Sequence, residues 1–187
     1  MEYKEREYPL FSACGLNCGL CPRYHTNGVS ICPGCAGKGF SEKRPSCGVL
    51  SCCKRKEIEY CYLCDEYSCK KYDAWGPYDS FITQKNQRRD LEKAKSIGIE
   101  AYRAELDEKI GILENLLEHY DDGRRKSFFC VAVNLLELDD VKSVAEQLAT
   151  ETKSEDGAKE KAAAAVRLFE DMGRKRGMDL KLRKKPK

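Results

Sequence analysis

Eleven cysteines stand between Cys14 and Cys69, and only one more, Cys130, lies elsewhere in the 187 residues. So dense a thiol set leaves few ways to fold. In a secreted mini-protein it is a disulfide framework, and in an intracellular chain it is ordinarily a metal site. Met1 to Leu10 (MEYKEREYPL) is charged and no apolar stretch follows it, which argues against a secretory leader. No apolar run reaches the ~18 residues of a membrane span. A cytoplasmic protein without membrane association is therefore expected, and its cysteines are read as metal ligands.

The spacing points the same way. Three tight turns recur: Cys18-Gly-Leu-Cys21, Cys32-Pro-Gly-Cys35 and Cys61-Tyr-Leu-Cys64. Two intervening residues let both sulfurs of a turn face one ion, and zinc favours tetrahedral sets of four thiolates. Cys47-x4-Cys52 and Cys64-x4-Cys69 add wider pairs, and Cys14 precedes the first turn by four residues. The expected ligands are Cys14, Cys18, Cys21, Cys32, Cys35, Cys47, Cys52, Cys61, Cys64 and Cys69. Ten thiols at about four per ion suggest two zinc ions. Chain order pairs Cys18, Cys21, Cys32 and Cys35 on one, and Cys47, Cys52, Cys61 and Cys64 on the other, although zinc modules often interleave their ligands. Cys53 adjoins Cys52 and is read as a packed or exposed thiol. Closed four-thiolate sites contribute folding free energy and do no chemistry.

Other cysteine chemistries weigh less. Four thiolates also ligate iron–sulfur clusters, so a cluster is the alternative cofactor. Cys14-x3-Cys18-x2-Cys21 has the radical-SAM spacing, but no strand–helix alternation long enough for that barrel follows. A redox Cys-x2-Cys needs a thioredoxin-like strand–helix setting, which is missing.

At these residues the chain resembles the domain of unknown function numbered 3795. The resemblance runs through Cys14-Gly-Leu-Asn-Cys18-Gly-Leu-Cys21, Cys32-Pro-Gly-Cys35, Cys47, Cys52 and Cys61-x2-Cys64-x4-Cys69, covering about Cys14 to Tyr72. Such bacterial and archaeal proteins carry about ten of these cysteines, are regarded as zinc binders and have no established activity. The resemblance thus implies zinc and names no substrate. Cys53 and Cys130 fall outside its cysteine set. Lys126 to Leu136 (KSFFCVAVNLL) is similar to a segment seen after the domain in some members.

The chain changes character at Trp75-Gly76-Pro77. Residues 1–78 are rich in Cys, Gly, Pro and Tyr, with Pro45 among the breaks, and suit a loop-rich module held by metal instead of a large core. Short helical turns are expected over 48–56 and 65–72, and a short strand over Lys56–Cys61. Residues 79–153 are expected to be a helical region packing on the module. A helix over about 86–96 leads to a longer one, where Ile99, Tyr102, Leu106, Ile110, Leu113, Leu117 and Tyr120 share a face. Phe128–Leu136 reads as a buried helix, and Leu138-Asp139-Asp140 as a helix start. Residues 154–187 are expected to be a C-terminal helix over 158–172 followed by a basic tail. The expected fold class is small, irregular α+β, with a metal-stabilised module and a mainly helical C-terminal half.

Remaining chemistry is sparse. His25 lies between two cysteine turns and is a possible substitute ligand, while His119 falls at a helix end, where the dipole favours a cation. Glu114, Glu118, Asp121 and Asp122 form an acidic cluster without a partner acid or base. Phosphate-loop, nucleophile-elbow and His-Glu-x2-His motifs are missing. Arg174 to Lys187 carries a net +7 and the remainder of the chain −4. That tail, with Tyr60, Tyr62, Tyr67, Tyr72, Trp75 and Tyr78 bordering the module among Lys54, Arg55, Lys56, Lys70 and Lys71, makes nucleic acid a possible partner. The expected function is a structural zinc module supporting a binding, interaction or sensing surface, with a protein partner possible. The alternatives are an iron–sulfur or open-metal-site enzyme or redox protein, and a nucleic-acid-binding zinc module.

Overall fold

A computed structural model describes residues 5–43, 47–72 and 77–186. The expected break at Pro45, the boundary at Trp75-Gly76 and the final Lys187 lie outside these residues. Seven α-helices occur among them: α1 Phe40–Lys43, α2 Gly48–Arg55, α3 Gln87–Ile97, α4 Ile99–His119, α5 Lys126–Leu135, α6 Leu138–Glu151 and α7 Ala158–Lys175. No strand occurs among the described residues, and the α+β expectation is corrected to an all-helical fold with an irregular N-terminal module. Among the described residues one isolated bridge pairs Phe11 with Asn17.

The strand expected over Lys56–Cys61 fails for a local reason. Glu57 turns back with φ +53°, and Ile58 N–H donates to the Cys53 carbonyl behind it. Cys61 N–H donates to Ala13, so its partner is a loop and no ladder forms. Residues 65–72 likewise form turns and no helix.

The helical half follows its apolar periodicity. On α4 the inward face holds Tyr102, Leu106, Ile110, Leu113 and Leu116, with Lys109 buried among them. The buried face therefore turns onto Leu116 where Leu117 was expected. Helix α5 buries seven consecutive residues, Phe129 to Leu135, as its all-round apolarity requires. It packs on α4 and α7, while α6 packs on α4 and α7. Phe129 and Phe169 meet with ring centroids 6.2 Å apart.

One apolar core joins the cysteine-rich stretch to these helices. Phe11, Leu20, Tyr60 and Tyr72 are buried in the same cluster as Leu91, Leu106, Leu113 and Phe129. A smaller cluster beneath the module consists of Ala13, Cys14, Cys35, Ala36, Val49, Leu50 and Cys53. After α7 the chain turns back: Leu180 is buried, and Arg183 forms a paired hydrogen-bonded contact with Asp79. Among the described residues no helix is long and apolar enough to cross a membrane.

Candidate metal centre

Two of the three Cys-x2-Cys turns adopt one geometry. Cys18–Leu20 and Cys61–Leu63 are 3-10 turns, closed by Cys21 N–H to the Cys18 carbonyl (3.1 Å) and Cys64 N–H to Cys61 (3.0 Å). The third turn is set differently. Gly34 has φ +81°, and a side chain there would stand 2.5 Å from the Pro9 carbonyl oxygen. Cys35 N–H donates to that same carbonyl at 2.8 Å, so the Pro-Gly pair lets the N-terminal segment pass close to the turn.

The thiols group around two centres that adjoin where Cys14, Cys35 and Cys53 pack together. Around Cys18 stand Cys35, Cys14, Cys21 and Cys32; burial first, then the like charge of these four, pushes its thiol well up. Cys14, also buried, is pushed up to about 12 by burial and then by Cys35, with Cys47 contributing. Around the second neighbourhood lies a cavity of about 40 Å³ lined by Cys52, Cys53, Cys61, Cys64 and Cys69, with Lys56 and Tyr72 also on its wall. Here Cys53 Sγ is 3.5 Å from Cys61 Sγ. The Cys53 hydrogen bond favours a thiolate on Cys61 and holds the proton on Cys53. Lys56 Nζ donates to Cys64 Sγ at 3.2 Å, and Arg55 Nη2 to Cys52 Sγ at 3.7 Å. All twelve cysteines are free thiols. Among the described residues, no three Cys, His, Asp or Glu side chains converge on a common point as a bound ion requires.

Cys53 and Cys130, outside the expected ligand set, each lie near a thiol of that set. Cys53 is buried beside Cys61, and Cys130, buried on α5, has its thiol raised first by burial and then by Cys21. Neither approach is visible in cysteine spacing, the first because Cys53 adjoins Cys52 and the second because Cys130 is distant in sequence. His25 is already engaged: its Nε2 bonds the Gly19 carbonyl at 2.7 Å, and burial lowers its pKa. Asp121 and Asp122 close the turn before α5, with Asp121 Oδ1 accepting from the N–H groups of Gly123 and Arg125. His119 is exposed beside Glu118 at 3.7 Å. Tyr60 and Tyr72 are buried in the core rather than presented for stacking.

The residues between the first cysteines dock the module on the helices. Gly15 has φ +90°, and a side chain there would stand 2.5 Å from the Gln87 carbonyl oxygen and 2.6 Å from Leu91, so α3 approaches this loop as only glycine allows. Asn17 is buried and donates Nδ2–H to Asp90 (2.8 Å) and to Asn134 Oδ1 (2.9 Å), while Tyr102 donates to its Oδ1 (3.0 Å). Asn86 also donates to Asp90 and to Asn134. Burial pushes the Asp90 carboxyl up against the pull of Arg89, Lys109 and these donors. Opposite it, Lys109 donates to the Leu136 carbonyl at 2.5 Å and is pushed down by burial. The loop that carries Cys14 and Cys18 thus sends the Asn17 amide into a polar knot shared by α3, α4 and α5.

Fold and site together define a cysteine-rich module seated on a helical bundle. Residues 10–74 match the model of a family described as "Protein of unknown function (DUF3795)", and this segment of the chain is similar to that family. Neither the curated proteins nor the solved structures give a match.

Proposed function

We propose that residues 14–69 form a structural zinc module holding two ions, whose loops present a binding, interaction or sensing surface. The observation that carries this reading is the gathering of eleven thiols, from turns far apart in the chain, into two neighbourhoods. The donor set fits zinc, which takes thiolates readily and needs four per ion. In the first neighbourhood Cys14, Cys18, Cys21, Cys32, Cys35 and Cys47 are available, and in the second Cys52, Cys53, Cys61, Cys64 and Cys69. The second set lines a cavity without meeting at a point, so loading an ion is expected to draw its members together. Bound zinc would supply the cationic centre that lets crowded, buried thiols remain deprotonated. The chain's own residues do the rest. Turn hydrogen bonds aim the sulfurs, and Gly15 and Asn17 seat the loops on the helices.

The test is metal analysis of protein purified without oxygen. Colourless protein with about two zinc per chain is expected. A brown sample containing iron and labile sulfide refutes the zinc assignment.

A further inference from the structure

Cys53 follows Cys52 on the last turn of α2, so their side chains leave the helix about 100° apart and reach different surroundings. Cys52 is half-buried and also lines the second cavity, and its sulfur accepts from Arg55 at 3.7 Å. Cys53 is 3% exposed and packs with Ala13, Cys14, Val49 and Leu50. Its sulfur stands 3.5 Å from that of Cys61. Two thiolates bound to one tetrahedral zinc at ~2.3 Å stand about 3.8 Å apart, so this pair is already near ligand separation. The two sulfurs are not bonded to each other, since a disulfide sets them at ~2.05 Å and both thiols are free. Cys64 and Cys69 line the same cavity, and Cys64 is tied to Cys61 by the 3-10 turn.

The geometry points to Cys53 as a ligand of the second metal ion, in a set with Cys61, Cys64 and Cys69, leaving Cys52 outside that set. This inference rests on the zinc reading above. It assigns the ligand role to the cysteine that adjacency in sequence makes look surplus. The physical reason is the helix: consecutive residues cannot share one direction, and the inward direction at this end of α2 belongs to Cys53.

The test compares zinc per chain in the full-length protein, Cys53→Ser and Cys52→Ser after gel filtration with a competing chelator. The wild type and Cys52→Ser are expected to keep about two zinc and Cys53→Ser about one, as four thiolates per ion require. Wild-type content in Cys53→Ser overturns the assignment, and loss of an ion in Cys52→Ser overturns the exclusion of Cys52. A wild-type chain without zinc refutes the underlying zinc reading instead. Should Cys53→Ser fail to fold, the cadmium-substituted wild type decides. A proton–cadmium NMR correlation from the Cys53 β-protons supports the inference, and its absence from a spectrum showing Cys61, Cys64 and Cys69 overturns it.

Discussion

Asn17→Ala removes the amide at the centre of the polar knot and leaves every cysteine in place. Three hydrogen bonds disappear: two donated to Asp90 and Asn134, and one accepted from Tyr102. A bond to a charged acceptor contributes about 1.5–3 kcal/mol and a neutral one about 1. Asp90 keeps Asn86 and Arg89 as donors, and Asn134 Oδ1 keeps Asn86, so not every partner is orphaned. The expected loss is about 3–5 kcal/mol, a large share of the ~5–15 available to a folded domain. Urea unfolding at fixed free zinc, followed by helical circular dichroism, reads it out. With a slope near 2 kcal/mol/M, the midpoint falls by about 1.5–2.5 M. Combining Asn17→Ala with Asn134→Ala gives a loss smaller than the sum by about 0.5–3 kcal/mol, because the two side chains share a bond. A single-variant loss below about 1 kcal/mol, the scale of a surface asparagine, refutes the claim that this loop is latched to the helices through Asn17.

Gly15→Ala forces a left-handed backbone and a contact with the α3 backbone at Gln87; a loss of at least about 2 kcal/mol in the same assay is expected. Asp79→Asn tests the docking of the C-terminal segment. Burial alone would raise the Asp79 carboxyl, but hydrogen bonds from Arg183 and from the Gln84 N–H outweigh it and hold it below the ordinary range. A depressed carboxylate stabilises the fold above its unfolded pKa and loses that contribution as pH falls through its folded value. The wild type should therefore exceed Asp79→Asn by about 1.5–3 kcal/mol at neutral pH, and the gap should close on acidification below the usual carboxylate range. A gap unchanged between neutral and acidic pH refutes it. Chelation of zinc should raise amide exchange throughout 10–74 and in α3, which packs on Gly15, before α7 responds; hydrogen-exchange mass spectrometry checks the order.

Much of the helical half was legible in the sequence. The apolar periodicity of 99–120 and the all-round apolarity of 128–136 fix helices wherever they fall, because a helix needs only one face or one core to bury. The cysteine spacing likewise marked residues 14–69 as thiol turns before any fold was known, since Cys-x2-Cys geometry is local. The strand expected at Lys56–Cys61 misled because alternation over six residues cannot say whether a partner strand exists, and none does among the described residues. Tertiary structure alone decided which thiols are neighbours. Cys53 meets Cys61 only after the chain turns at Glu57, and Cys130 nears Cys21 only because α5 packs under the first turn. It alone decided, too, that Asn17, set among cysteines, faces away from them. Sequence distance carries no information about such approaches. They are fixed by burial, which drives Leu20 and Phe11 into the helical core and carries the amide between them inward.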